Sequence, residues 1–126
     1  MMNHDFPVRV EVTTRYIPDH SAPDEQRYVF AYDIIVRNEG DEPVQLLTRH
    51  WIITDGDGKT QEVRGEGVVG EQPVIPPGTE YRYTSGTLLN TEVGSMQGSF
   101  GMQTAEGIEF NTPIAPFTLA QPGALH

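Results

Sequence analysis

A glycine-rich segment in the middle of the chain has the spacing of a phosphate-binding loop. Gly65, Gly67 and Gly70 match the pattern GxGxxG, and Arg64 precedes them directly. In dinucleotide-binding folds this spacing lets backbone N–H groups approach a pyrophosphate at the N-terminus of a helix. Residues 71–77 contain three prolines, so a helix cannot begin after Gly70 and continue. The motif therefore lacks the helix that a dinucleotide site needs.

The charge around this segment also argues against a bound nucleotide. Glu62, Glu66 and Glu71 would surround a phosphate with like charge, and only Arg64 would offset them. Glycines that allow positive φ angles in a loop are the favoured interpretation. A backbone nest that captures an anion without a helix stays open as an alternative. The candidate ligand-binding residues of such a nest are Arg64, Gly65, Gly67 and Gly70.

His50 is the histidine that falls within a predicted strand, between Arg49 and Trp51. Such a side chain could act as a general base or a metal ligand, but it is more often half-buried with one hydrogen bond. These three residues form a candidate polar and aromatic group at the surface or in a site. No two of the four histidines have the spacing of i, i+2 or i, i+4 that places imidazoles on one metal. The four are His4, His20, His50 and His126.

Other residue groups that could bind a metal or catalyse a reaction lack the spacing that those functions require. The segment from Asp55 to Lys59 begins like a calcium loop, but Thr60 stands where an EF-hand needs glycine, and Lys59 stands where it needs an oxygen ligand. The serines lack the GxSxG pattern of a hydrolase nucleophile. We therefore expect no catalytic residue, no metal, no cofactor and no enzymatic activity.

Composition limits the partners of the chain. Its 126 residues include 18 acidic and 8 basic ones, which gives a net charge of −10. A field of this sign repels phosphate backbones and anionic lipid headgroups, so neither nucleic acid nor membrane is an expected partner. The chain has no cysteine and no apolar stretch of membrane-spanning length, which favours a cytoplasmic protein. The length predicts one domain over 1–126, with flexible tails at about 1–6 and 122–126.

The elements that position these residues are predicted to be β-strands. Thirteen glycines and ten prolines interrupt every stretch that could form a long helix, and the apolar residues between them alternate with period two. Strands are expected at residues 8–16, 28–36, 44–54, 81–83, 96–102 and 108–119, with a short edge strand at 73–75. Residues 85–94 are expected to form a connection. Strand 44–54 has the densest apolar run and is expected to be central.

The Asp57–Gly58 pair predicts a hairpin with a type I′ turn, because both residues accept positive φ angles. Regularly spaced antiparallel strands predict a β-sandwich of seven to eight strands, of the immunoglobulin or fibronectin type III kind. A closed barrel is the alternative. The segment 76–81 resembles the corner that precedes strand F of fibronectin type III modules, where a tyrosine hydroxyl, here that of Tyr81, bonds to nearby backbone.

Several segments together resemble the bacterial ApaG (CorD) family, whose domain is also called DUF525. The resemblance covers nearly the whole chain. It rests on residues 49–55, the 57–58 turn, residues 63–70 with the glycine motif, residues 73–87, Gly98, Met102 and residues 114–119. It implies a fibronectin type III-like sandwich and supplies no catalytic residue. The family is associated by genomic context with diadenosine tetraphosphate hydrolysis and by name with cobalt and magnesium tolerance.

Similar domains in eukaryotic F-box proteins and in a polymerase-interacting protein imply a module that binds other proteins. The first hypothesis is therefore a non-enzymatic interaction module that uses residues 65–70 or the strand edge at 73–77. The second is a sensor for a pyrophosphate-containing nucleotide or a divalent cation. An enzyme acting on such a nucleotide is disfavoured, because nothing in the sequence resembles a positioned base with an orienting partner. Sheet edges also suggest a homodimer.

Overall fold

Eight β-strands form most of residues 7–124, the part of the chain that this computed structural model describes. Two short 3₁₀ helices, Pro18–His20 and Pro23–Glu25, lie between the first two strands. The strands are β1 (Val8–Tyr16), β2 (Tyr28–Asn38), β3 (Val44–Asp55), β4 (Thr60–Glu66), β5 (Val74–Ile75), β6 (Glu80–Leu89), β7 (Val93–Thr104) and β8 (Glu109–Ala120). The all-β prediction is confirmed.

The strands form two antiparallel sheets that pack face to face as a sandwich. One sheet has the order β1-β2-β6, and the other has the order β4-β3-β7-β8, with β5 pairing β3 beyond the end of β4. Strand β3 lies inside the larger sheet, as its apolar run predicts. The edges of β1 and β8 approach each other through one bond from Thr14 Oγ1 to Thr118 O at 3.4 Å. The two sheets remain separate ladders, so the barrel alternative is wrong.

Trp51 is at the centre of the core between the two sheets. Its ring makes edge contacts with Tyr32, Phe100 and Phe117 at centroid distances of 5.5, 6.2 and 5.9 Å. Such tilted aromatic pairs stabilise a core beyond the area that they bury. The sequence grouped Trp51 with candidate surface or site residues, but the side chain is only 3% exposed. It lies on the inward face because β3 residues alternate between the two faces of the sheet.

The hairpin between β3 and β4 forms at the predicted residues but with a different turn. Asp55 N–H donates to Lys59 O at 2.9 Å, and Gly58 N–H donates to Asp55 O at 3.1 Å. Gly58 has φ of 84°, whereas Asp57 does not have a positive φ. This is a three-residue loop closed by a left-handed glycine, so the type I′ prediction is wrong. The Asp55 carboxylate selects it by accepting the N–H groups of Asp57 and Lys59.

Strand β6 is longer than the sequence indicates. Residues 85–89, predicted as a connection, continue β6 and pair with β2, with Ser85 opposite Tyr32 and Leu89 opposite Tyr28. Ser85 and Gly86 have little strand preference of their own, but pairing with β2 satisfies the backbone groups of this segment. Tertiary pairing therefore decides the state of this segment.

The tyrosine-corner prediction is also wrong. Tyr81 lies on β6, in the smaller sheet, and its hydroxyl donates to the Glu71 carboxylate at 2.7 Å rather than to backbone. Between residues 7 and 124, no helix has the length and apolar content that crossing a bilayer requires. The predicted tails at 1–6 and 125–126, with His4 and His126, lie outside the described residues. Residues 122–124 form a turn in which Ala124 N–H donates to Gln121 O at 2.9 Å.

Replacing the central tryptophan should be costly. We expect Trp51→Ala to lower the free energy of unfolding by about 3–5 kcal/mol, because it opens a cavity among three aromatic rings. Ile108→Ala is the control, since Ile108 is 50% exposed at the β7–β8 turn, and it should cost less than about 0.5 kcal/mol. Urea unfolding followed by far-UV circular dichroism measures both values. Equal losses for the two variants would contradict this account of the core.

Candidate functional site

The glycine motif ends in a tight hairpin between β4 and β5. Val68 N–H donates to Glu71 O at 2.8 Å, and Glu71 N–H donates back to Val68 O at 2.9 Å. The two residues between them, Val69 and Gly70, have φ of 44° and 82°. Positive φ at both central positions is the property of a type I′ turn. The turn predicted for Asp57–Gly58 is thus found here, and β5 rather than a helix follows it.

Val69 occupies this turn at a conformational cost. A β-branched residue with positive φ is an outlier, because its side chain crowds the following carbonyl, at about 1–2 kcal/mol. The side chain is 56% exposed, so core packing does not compensate the cost. The two hydrogen bonds between Val68 and Glu71 hold the backbone in place. The turn therefore presents a strained apolar side chain to solvent.

Arg49 supports the hairpin from the inward face of the larger sheet. Its Nη1 donates to Glu66 O at 3.0 Å and to Gly67 O at 2.9 Å. Gly65 pairs with Arg49 across the strands, and a Cβ at Gly65 would lie 2.7 Å from the guanidinium. Gly65 is therefore a glycine because the arginine occupies the space of a side chain. The guanidinium ties the carbonyl groups of the loop to the sheet.

Backbone donors of the loop are already used within the chain. Gly67 N–H donates to Leu47 O at 2.7 Å, and the N–H groups of Val68 and Glu71 close the turn. A Cβ at Gly67 would lie 2.4 Å from Glu71 O, which shows how closely the two arms of the hairpin approach. An anion-binding nest needs N–H groups that converge on open space. Three of the loop's donors point at carbonyl groups instead.

Arg64 lies on the opposite face of the sheet from Arg49. Successive residues of a strand alternate between faces, and Arg64 pairs with His50 while Gly65 pairs with Arg49. On this outer face Glu62 joins the other two side chains. His50 Nε2 lies 2.6 Å from Glu62 Oε2, and Arg64 Nη2 lies 3.0 Å from the same oxygen. The structure thus separates the candidate residues into two groups.

The His50–Glu62–Arg64 cluster is a feature that reasoning from the sequence missed. The hydrogen bond from His50 and the charge of Arg64 hold the pKa of the Glu62 carboxyl below its ordinary value. A carboxylate can orient a neighbouring imidazole so that the imidazole acts as a base. The sequence had indicated no such pair. The predicted two-residue turn at 57–58 would place residue 50 opposite residue 65, whereas the observed three-residue loop places it opposite Arg64 and on the same face as Glu62. The cluster lies on an open strand face.

A second exposed valine lies next to the glycine hairpin. Val74 on β5 is 58% exposed and pairs with Gln45 of β3. It lines a groove of 320 Å³ together with Pro43, Gln45 and Gln103. Val69 and Val74 are thus exposed apolar side chains at either end of residues 69–74. Between residues 7 and 124, no group of three or more His, Asp or Glu side chains could hold a metal ion.

Comparison with known proteins gives a consistent result. A model of the ApaG domain matches residues 18–104. The protein named ApaG of Pseudomonas aeruginosa strain LESB58 is 58% identical over 126 residues and the full length of both chains. That of Azotobacter vinelandii is 55% identical over the same span. The crystal structure of a putative ApaA protein from Bordetella pertussis is 50% identical, with a TM-score of 0.90, over 92% of this chain and 94% of that one.

The strained turn generates a stability prediction. Val69→Asn should raise the free energy of unfolding by about 1 kcal/mol, because asparagine adopts positive φ far more readily than a β-branched residue. Val74→Asn removes the same side chain at a strand position and should give no such gain. Urea unfolding of both variants measures the difference. An unchanged or reduced stability of Val69→Asn would show that the turn is not strained.

The outer cluster generates a prediction about titration. Because the native pKa of Glu62 is lowered, its ionisation stabilises the folded chain above the ordinary carboxyl pKa. This contribution is lost as the pH falls through the lowered pKa. In His50→Leu the Glu62 pKa should rise toward its ordinary value, since leucine cannot donate the hydrogen bond that contributes most to the lowering. Carboxyl carbon NMR shifts against pH measure it, with Arg82→Gln as a control that should leave Glu62 unchanged. A Glu62 pKa that is the same with and without His50 would contradict the assigned cause.

Proposed function

The chain belongs to the ApaG family, and on this premise we propose that it is a non-enzymatic cytoplasmic protein that binds other proteins through residues 67–74. This segment comprises the type I′ hairpin and strand β5. The observation that carries the proposal is Val69, an exposed apolar side chain held in a strained conformation. Backbone strain at an exposed position suggests a role other than stability.

A rigid support favours binding by this segment. The Arg49 guanidinium fixes the carbonyl groups at the base of the hairpin, and the paired bonds of Val68 and Glu71 close its tip. A side chain on a preorganised turn loses little conformational freedom when it enters a partner's pocket. Val69 and Val74 would therefore supply preorganised apolar contacts to a partner's pocket.

The charges around the hairpin indicate the chemistry of the partner. Glu66 and Glu71 flank the turn and are both exposed, and the chain as a whole carries a net charge of −10. Complementary charge accelerates association and excludes wrong partners. The surface therefore fits an apolar pocket whose rim carries lysine or arginine.

The same contacts make a phosphate ligand the weaker alternative. The N–H groups of Gly67, Val68 and Glu71 donate to carbonyl oxygens of the chain, so an anion would have to displace them. Arg64, the cation that the sequence assigns to such a site, is bonded to Glu62 on the opposite face. These observations support a protein-binding surface over a nucleotide sensor.

An enzymatic role has little support from the outer cluster. His50 and Glu62 form a hydrogen-bonded pair, but the carboxylate is half exposed on an open strand face. Catalytic acid–base pairs gain most of their effect where water is excluded. This setting favours a structural or binding role for the pair.

A capture experiment tests the proposal. The immobilised chain should retain a defined set of proteins from a Pseudomonas aeruginosa lysate, and Val69→Asp should abolish that retention by placing a charge on the anchor. Ile108→Asp adds the same charge at an exposed apolar side chain of another turn, and it should leave retention unchanged. Retention that is equal for all three chains, or absent for the wild type, would contradict the proposal.

A titration distinguishes the alternative. Amide NMR spectra are recorded with pyrophosphate, ATP and diadenosine tetraphosphate, each with and without magnesium or cobalt. The proposal expects no saturable shift at the amides of Arg64, Gly65, Gly67 and Gly70. Saturable shifts there would favour the ligand sensor over the protein-binding module.

A further inference from the structure

Strand β4 is an edge strand, and its pattern of charges is complementary to itself. We infer that β4 pairs antiparallel with β4 of a second copy of this chain, so that two larger sheets join into one continuous sheet. The inference goes beyond the proposed function and uses a different surface, since residues 67–74 are not part of the paired strand. The direction of the β4 backbone groups and the positions of Glu62 and Arg64 both favour this pairing.

The turn determines which β4 groups face outward. Asp55 N–H donates to Lys59 O, and Gly67 N–H donates to Leu47 O, so the odd-numbered residues between them point their N–H and C=O groups toward β3. The even-numbered residues point theirs away from β3. Strand β4 is the terminal strand of its sheet. Glu62 and Arg64 therefore present backbone donors and acceptors to an incoming strand.

A two-fold axis at Val63 gives the matching register. In an antiparallel pair centred there, Glu62 lies opposite Arg64 of the second copy, and Arg64 lies opposite its Glu62. Residues opposite each other in this way exchange two backbone hydrogen bonds, with their Cα atoms about 5.5 Å apart. The outward groups of Glu62 and Arg64 are the ones that such a pair requires. The two central pairs would thus form four interchain hydrogen bonds.

Side-chain charges agree with the same register. Glu62 and Arg64 lie on the outer face, with their side chains 52% and 70% exposed, and Arg64 already reaches Glu62 along its own strand. Pairing brings a second arginine across from each glutamate, and opposite charges directly across a sheet are stabilising. The inward face contributes Val63, which is partly buried against the core. Two Val63 side chains would meet at the axis.

Charges on edge strands often serve to prevent pairing, but this pattern does not suit that role. Edge protection relies on charges that repel when two copies align, such as lysines. Opposite charges placed symmetrically about Val63 attract instead. The net charge of −10 per chain opposes association at long range. At about 0.15 M salt the Debye length is about 8 Å. The long-range repulsion between the two chains is therefore screened more strongly than the short-range attraction between adjacent strands.

Charge reversal tests the pairing by analytical ultracentrifugation over a wide range of concentration. The wild-type chain should approach twice its mass of 14.0 kDa as concentration rises. Glu62→Arg alone and Arg64→Glu alone should each weaken dimerisation by roughly tenfold or more, because like charges then face each other. Glu62→Arg also lowers the net negative charge, so a long-range effect alone would strengthen association. An equimolar mixture of the two variants, and the double variant, should both regain the dimer.

Arg82→Glu is the matched control. Arg82 lies on β6, the edge of the other sheet, with its side chain 67% exposed and paired to Glu80 two residues away. This variant should dimerise like the wild type, and thermal unfolding checks that every variant is folded. A chain that stays monomeric at every concentration would overturn the inference. So would a dimer that Glu62→Arg leaves intact, that the mixture does not restore, or that Arg82→Glu dissociates. The oligomeric state does not depend on whether residues 67–74 retain proteins from a lysate, so the two proposals can fail independently.

Discussion

The register of the β3–β4 hairpin is the constraint on which the candidate surfaces depend. It is set at the turn, where Asp55 accepts and donates backbone hydrogen bonds and Gly58 supplies the left-handed residue. That register places Arg49 beside Gly65 on the inward face and His50 beside Arg64 on the outer face. It also places Trp51 opposite Val63. A slip of one residue would exchange the two faces of β4 relative to its neighbour.

Arg49 shows why the glycine motif has a structural role in this register rather than a ligand-binding one. In a dinucleotide-binding fold, the glycines clear space for a pyrophosphate, and a helix follows. Here the space at Gly65 is occupied by a guanidinium of the chain itself, and the carbonyl groups of Glu66 and Gly67 are its acceptors. The loop thus has an internal cation where a nucleotide fold would have a ligand. The same spacing of glycines serves a structural purpose in a β-sandwich.

The two faces and the free edge of the β3–β4 hairpin, together with the adjacent turn at 68–71, have separate roles. The inward face contributes the core and the arginine support, and the tip of the next hairpin presents Val69. The outer face and the free edge of β4 present Glu62 and Arg64. Protein binding would use the tip, and self-association would use the edge. Rigid strands hold both surfaces in fixed positions, which lowers the conformational entropy lost on binding.

Local sequence pattern predicts the all-β class, the positions of most strands, a hairpin between β3 and β4, and that no helix directly follows Gly70. These features depend on period-two alternation and on glycine and proline placement, which act over a few residues. Family membership followed from motifs along the whole chain and is shown by the matching relatives. Tertiary structure alone decided which turn is type I′, how far β6 extends, that Trp51 is buried, and that His50 meets Glu62. Those outcomes depend on hydrogen bonds and packing between strands distant in sequence, so local pattern carries too little information about them.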